Sequence, residues 1–136
     1  MTDLLVNIDV DDLDAGTRFY VDAFGLRAGR RLGDAGVELL GAPAPIYLLA
    51  KAAGTRATPK AAQVRDYARH WTPVHLDFVV DDIDAAIARA LAAGATIEQA
   101  VSTRAWGRLA LLADPFGHGF CLVQFTGRGY DAIAGA

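Results

Sequence analysis

One cysteine, Cys121, stands in the 136 residues, so no disulfide can close within the chain. There are three histidines, His70, His75 and His118, and the first half has none. No stretch approaches the roughly 20 apolar residues that a membrane-spanning helix needs, and the opening MTDLLVNIDV has neither a basic start nor a long apolar run. Positive charge is not in excess: 13 Lys and Arg against 16 Asp and Glu leave a net charge of −3, which argues against a polyanion as partner. Lys51, Arg56 and Lys60 read as a solvated loop. These absences point to a soluble cytoplasmic protein with no nucleic-acid and no membrane partner. What is present is apolar bulk, 53% of the residues. That suffices for a core in a single domain of this length.

The chain states one pattern twice, 70 residues apart. VNIDVDDLDAGTRFY begins at Val6 and VHLDFVVDDIDAAIARA at Val74, with Val10, Asp11, Asp12, Leu13 and Asp14 in register with Val80, Asp81, Asp82, Ile83 and Asp84. Each copy reads as a strand running through an Asp cap into a helix. Leu13, Gly16, Phe19, Tyr20, Ala23 and Phe24 make a helical stripe closed by Gly25, and Ile83, Ile87, Ala90 and Leu91 make another closed by Gly94. Three strands follow each helix: about 29–32, 37–40 and 46–49 in the first copy, and 96–101, 108–113 and 120–125 in the second. Asp114-Pro-Phe-Gly117 is a turn. A connector spans residues 51–72, with a short helix expected over 61–68. The modules thus cover 3–50 and 73–126, and residues 127–136 form a tail. The fold class is α+β: two βαβββ modules in one domain (1–136), their curved, mostly antiparallel sheets enclosing a cleft and their helices on the convex faces. A domain of two equivalent halves tends to bind its ligand between them.

VDDLDAGTRFYVDAFGL, HLDFVVDDIDAAIARALAAGA and the closing ADPFGHGFCLVQF make residues 3–126 resemble the vicinal oxygen chelate superfamily, the group of glyoxalase I, bleomycin-resistance proteins and extradiol dioxygenases. The resemblance implies metal ligands at four matching positions, one on the first and one on the last strand of each half. Here those positions read Leu5, Leu49 (or Leu48), His75 and Cys121. Leucine donates no lone pair, and a lone imidazole with a thiol is a poor set for a hard divalent ion. The expectation is therefore no metal and no cofactor. Glu38, the one nearby carboxylate, is expected to point away from the cleft.

A regular hairpin at the Asp114 turn would set Arg108 opposite Val123 and Ala110 opposite Cys121, placing Trp106, Arg108, Cys121 and Val123 on the cleft face. The first half would add Leu5, Asn7, Val37, Leu39, Tyr47 and Leu49, and the second His75 and Asp77. The candidate ligand contacts are Asn7, Tyr47, His75, Asp77, Trp106, Arg108 and Cys121. Trp106 and Tyr47 either stack on a flat ligand or fill the core. The Arg108 fork suits a carboxylate. Asp77 either orients His75 or pairs with Arg108, and Cys121 is either an apolar filler or a nucleophile. His70 and His118 are expected in solvent, with Trp71 and Tyr67 at the mouth if the connector folds over.

The missing donors favour a metal-free protein that binds an aromatic or carboxylate-bearing small molecule. The resemblance implies a homodimer. The alternative is a lyase- or isomerase-like enzyme with His75 and Asp77 as general base, or with an atypical metal on His75 and Cys121. A third reading is an interaction module whose cleft is filled by its own side chains.

Overall fold

A computed structural model describes residues 1–135. The elements run β1 (Val6–Val10), α1 (Leu13–Phe24), β2 (Arg27–Leu32), β3 (Gly36–Leu40) and β4 (Ile46–Ala50), then β5 (Leu76–Val79), α2 (Ile83–Ala93), β6 (Thr96–Arg104), β7 (Gly107–Ala113) and β8 (Gly119–Phe125), with a 3₁₀ turn over Gly129–Ala132. The order matches the reading of two βαβββ modules. The helix starts behave identically: the Asp12 carboxylate accepts from Ala15 N at 2.9 Å and that of Asp82 from Ala85 N at 3.1 Å. Both helices stop at a left-handed glycine, Gly25 and Gly94.

The sheets have the same topology, β1-β4-β3-β2 and β5-β8-β7-β6. In each, the first strand of the module pairs parallel with the last, and the other neighbours are antiparallel. Each sheet turns one face to the helices. Val37, Leu39, Ile46 and Leu48 from the first sheet share one core with Ala110, Leu112, Phe120 and Leu122 from the second, and with Phe19, Tyr20, Ile83 and Ala90 from the helices. Phe24 of α1 stacks on Phe78 of β5, ring centroids 3.8 Å apart. The modules are therefore joined through the apolar side of both sheets, where burial of each large side chain contributes about 1.5–3 kcal/mol.

One buried polar contact crosses this core. The Tyr20 hydroxyl donates to the carboxylate of Asp114, which also accepts from Phe116 N at 2.8 Å and His118 N at 2.9 Å. Burial, then the neighbouring Asp114 carboxylate, raises the Tyr20 hydroxyl well above the ordinary tyrosine range, so it stays a donor.

The helix expected over 61–68 is absent. Gly54 N donates to Arg65 O and Arg65 N to Thr55 O, pairing the two arms of the connector. The Arg56 guanidinium donates to the carbonyl of Ala62. These bonds replace the i to i−4 ladder that a helix would have used.

Replacing Tyr20 by Phe removes one partner of a buried carboxylate. We expect a loss of about 1–3 kcal/mol of unfolding free energy in urea, against a change under about 0.5 kcal/mol for Thr103→Ala on exposed β6.

Candidate functional site

β5 is an edge strand that pairs only with β8, and its register sets Leu76 beside Phe120 and Asp77 beside Cys121. Side chains alternate across a strand. Leu76 and Phe78 therefore go towards the helices, and Asp77 and Val79 go to the opposite, open face with Cys121 and Val123. His75, just before β5, joins them: its Nε2 lies 3.2 Å from Asp77 Oδ1. One donor atom from each of His75, Asp77 and Cys121 lies within 4.8 Å of the others. The Cys121 thiol is buried, and burial, then the Asp77 carboxylate, pushes it up to about 12. At neutral pH it is a protonated, poorly nucleophilic thiol. A cavity of about 130 Å³ opens here, lined by His75, Leu111 and Cys121 with Arg69, Trp71 and Thr72 of the connector.

Trp106 and Arg108 do not join this group. Cys121 lies opposite Leu111, Val123 opposite Leu109, and Arg108 opposite Gln124, one residue away from the register of a regular hairpin. The reason is the turn. Asp114 N donates to His118 O, the Asp114 side chain takes the amides of Phe116 and His118, and Gly117 is left-handed at φ +84°. His118 thus belongs to the turn, and β8 starts at Gly119. Arg108 consequently faces the helices, where it forms a fork to Asp84 of α2 at 3.0 and 3.2 Å. That bond holds the Asp84 carboxyl below its usual range. Pairing of Asp77 with Arg108 is likewise not found. Trp106 packs against Phe125 and Tyr130, 6.2 and 5.2 Å between centroids.

In the first half, Asn7 sits beside Tyr47 as Asp77 sits beside Cys121. The repeat therefore equates Tyr47, not Leu49, with Cys121. Glu38 lies opposite Tyr47 and shares the open face, whereas Val37 and Leu39 are buried in the core, the reverse of the expectation. Their apolar side chains follow the helix, leaving the polar alternate residues outside. The Tyr47 hydroxyl donates to Glu38 Oε2 at 2.8 Å, and Arg30 binds the same carboxylate at 2.7 and 3.2 Å. Hydrogen bonds from Arg30, then from Tyr47, hold Glu38 down at about 2. The sequence carried a signal for this pair in opposite charges on two adjacent strands, Arg30 and Glu38. The four positions matched to metal ligands are thus Leu5, Tyr47, His75 and Cys121. An alkyl group, a phenol already bonded to Glu38, an imidazole and a protonated thiol do not fit a hard divalent metal.

Asn7 and His75 line a second cavity of about 310 Å³, together with Asp9, Thr72, His70 and His118. Contrary to expectation, His70 and His118 are half-buried: His118 Nε2 lies 2.7 Å from Asp9 O, and its Nδ1 lies 3.0 Å from His70 Nε2. Trp71 stands at the mouth of the cavity beside His75 and Cys121, 79% exposed. Tyr67 lies further along, in a cavity with His70 and His118, and donates to Lys51 O.

The raised Cys121 thiol makes a direct expectation. A thiol-reactive chromogenic disulfide at about pH 8 modifies Cys121 at least about tenfold more slowly than free cysteine, since the thiolate fraction sets the rate. Asp77→Asn removes the adjacent negative charge and speeds the reaction.

A family model described as a glyoxalase-like domain matches residues 5–123. An uncharacterized Mycobacterium bovis protein is 48% identical over 54 residues, 39% of this chain and 36% of the relative. The anthracycline biosynthesis protein DnrV of Streptomyces peucetius is 32% identical over 132 residues, 96% of this chain and 43% of the relative. The chain thus spans less than half the length of these curated relatives. Among solved structures, the genomically encoded fosfomycin resistance protein FosX from Listeria monocytogenes has a TM-score of 0.69 at 21% identity, covering 93% of this chain and 95% of its own, a likeness of fold. With the repeat, the two sheets and a family match spanning both modules, the chain belongs to the glyoxalase-like domain family.

Proposed function

We propose that the open face around His75, Asp77 and Cys121 binds a small, largely apolar organic molecule, and that a second copy of the chain completes the cleft. The observation that carries this reading is the make-up of that face. Leu111, Cys121 and Val123 form an apolar wall, and one polar pair, His75 with Asp77, stands at its rim with side chains 50% and 40% exposed. Apolar walls with a few placed polar groups are the usual composition of a ligand pocket. Trp71 at the mouth offers an aromatic platform. Arg108, engaged with Asp84 on the helix side, supplies no carboxylate contact here, so the ligand class narrows to aromatic or amphipathic compounds. Two of the similar proteins carry names tied to small organic compounds, an anthracycline and fosfomycin.

The second copy is suggested by exposed apolar side chains flanking the pair, Val74 at 81% and Val79 at 62%, and by Leu5 at 58%, the counterpart of His75 before β1. Isolated exposed apolar residues are ordinary, but a group beside a site marks a surface for covering. The reading is of a metal-free protein, because Leu5 and Tyr47 leave the family's donor set incomplete. A lone buried thiol suits the reducing cytoplasm.

One observation favours a second reading. His75, Asp77 and Cys121 offer imidazole, carboxylate and sulfur within one module, which is the three-donor pattern of an open zinc-type site. Binding would remove the thiol proton. Without metal, the His75–Asp77 pair is also the one general base that this face offers.

Elemental analysis of protein purified without chelator or affinity metal separates the readings. Metal-free protein, stabilised by aromatic compounds in a thermal-shift screen, supports binding alone. A saturating hit, at about 100 times its dissociation constant, adds about 2.7 kcal/mol. His75→Ala then weakens that hit by about tenfold or more. Near-stoichiometric zinc that disappears in both Cys121→Ser and Asp77→Asn overturns the metal-free reading.

A further inference from the structure

The connector walls the cavities that hold His75. Arg69, Trp71 and Thr72 line the one with Cys121, and His70 and Thr72 line the one with Asn7. Two imidazoles fasten it. His118, in the β7–β8 turn, reaches Asp9 O on edge strand β1 at 2.7 Å through Nε2. Its Nδ1 meets His70 Nε2 at 3.0 Å, and His70 Nδ1 meets Ala68 O at 3.0 Å. The contacts run in series from the first module, through the turn of the second, into the connector.

Counting hydrogens gives the chain of contacts a definite charge. A carbonyl only accepts, so His118 Nε2 and His70 Nδ1 must each carry a hydrogen. The nitrogen–nitrogen contact needs one more. Three hydrogens on two rings is one more than two neutral imidazoles hold. We propose that His70 and His118 form a proton-operated clasp over the site: with one proton on the pair the connector is fastened beside His75, and without it one of the three bonds is lost and residues 67–73 loosen.

The groups around the pair are consistent with a single held charge. β1 contributes the Asp9 carboxylate, 2.7 Å from Arg65 of the connector. The connector adds Asp66, Tyr67 and Arg69, the last bound to Glu98 at 2.6 Å. Asp114 accepts the His118 amide and is shared with Tyr20 of α1, and His75 lies across the cavity. Backbone contact is close as well: His70 N donates to Gly117 O, and a Cβ on Gly117 would collide with Ala68 O. Release is therefore a loosening of one segment, with the modules still joined by their core. The fastened form binds one more proton than the loose form, so falling pH favours it and rising pH releases it. That this changes access for a ligand rests on the binding face proposed above; the clasp itself does not.

Amide hydrogen exchange on the full chain, corrected for intrinsic rates, tests the clasp without any ligand. In the wild type, the amides of residues 67–72 should be about tenfold more protected at about pH 5 than at about pH 8, the worth of roughly one net hydrogen bond. Amides of α1 and α2 should not change. His118→Gln and His70→Gln should each leave the connector at the less protected level at both pH values, while His75→Gln keeps the difference. Equal protection at both pH values in the wild type, or a pH difference that survives either glutamine variant, overturns the proposal. Loss of α1 and α2 protection in one variant shifts the decision to the other variant and to the wild-type profile. A ligand screen that finds nothing would leave the clasp standing, and a flat exchange profile would leave the binding face standing.

Discussion

The Asp114 carboxylate is the point on which the second module is indexed to the first. It is 5% exposed, and removing a charged group from water this far is costly unless its lone pairs are filled. Three donors fill them, the Tyr20 hydroxyl of α1 and the amides of Phe116 and His118. Hydrogen bonds to a charged acceptor contribute about 1.5–3 kcal/mol each, a large share of the 5–15 kcal/mol that separates folded from unfolded states. The same bonds fix the shape of the turn, and the turn fixes the register of β7 with β8. Cys121 reaches the open face, Arg108 goes beneath the sheet to Asp84, and His118 is free to reach the connector, all because Asp114 is satisfied in this way.

The two modules are alike in backbone and opposed in chemistry. Leu5, Asn7 and Tyr47 occupy the positions that His75, Asp77 and Cys121 occupy in the second half. In the first half a phenol, a carboxylate and a guanidinium close on one another, and Glu38 is held ionised. In the second, an imidazole and a carboxylate stand at the rim of an apolar wall, and the thiol behind them is kept protonated. The two modules supply like scaffolds, and the proposed binding face draws its polar pair from the second. Function within a shared fold lives in such local differences.

Most of the fold was legible because its signals are local. Asp12 and Asp82 cap, Gly25 and Gly94 terminate, and the apolar stripes between them have the helical period. The site was half legible. Alternation sets His75 and Asp77 on one face, and the resemblance, which matches the first and last strands of a module, brought Cys121 to them; the pairing of β5 with β8 agrees. Trp106 and Arg108 were misplaced by one residue of register, since a single-residue slip moves a whole strand to the other face. The cause is a side chain, Asp114, bonding back to amides two and four residues on, which turn statistics for Asp-Pro-Phe-Gly do not reveal. Val37 and Leu39 were set in the cleft with Glu38 alternating away from it; alternation is right but the faces are reversed, because these apolar side chains pack in the core beside the helices. His70 and His118 are 48 residues apart, and nothing short of tertiary structure brings them together.

On the proposed reading, β5, β8 and the connector frame the ligand site, with His75 and Asp77 as its polar rim. The most direct test is a two-dimensional amide NMR titration with an aromatic compound that stabilises the protein. Shifts are expected at His75, Asp77, Cys121 and Trp71, with loss of amplitude in Asp77→Asn. Shifts confined to the Arg30–Glu38–Tyr47 face, or to Trp106, Phe125 and Tyr130, would contradict it.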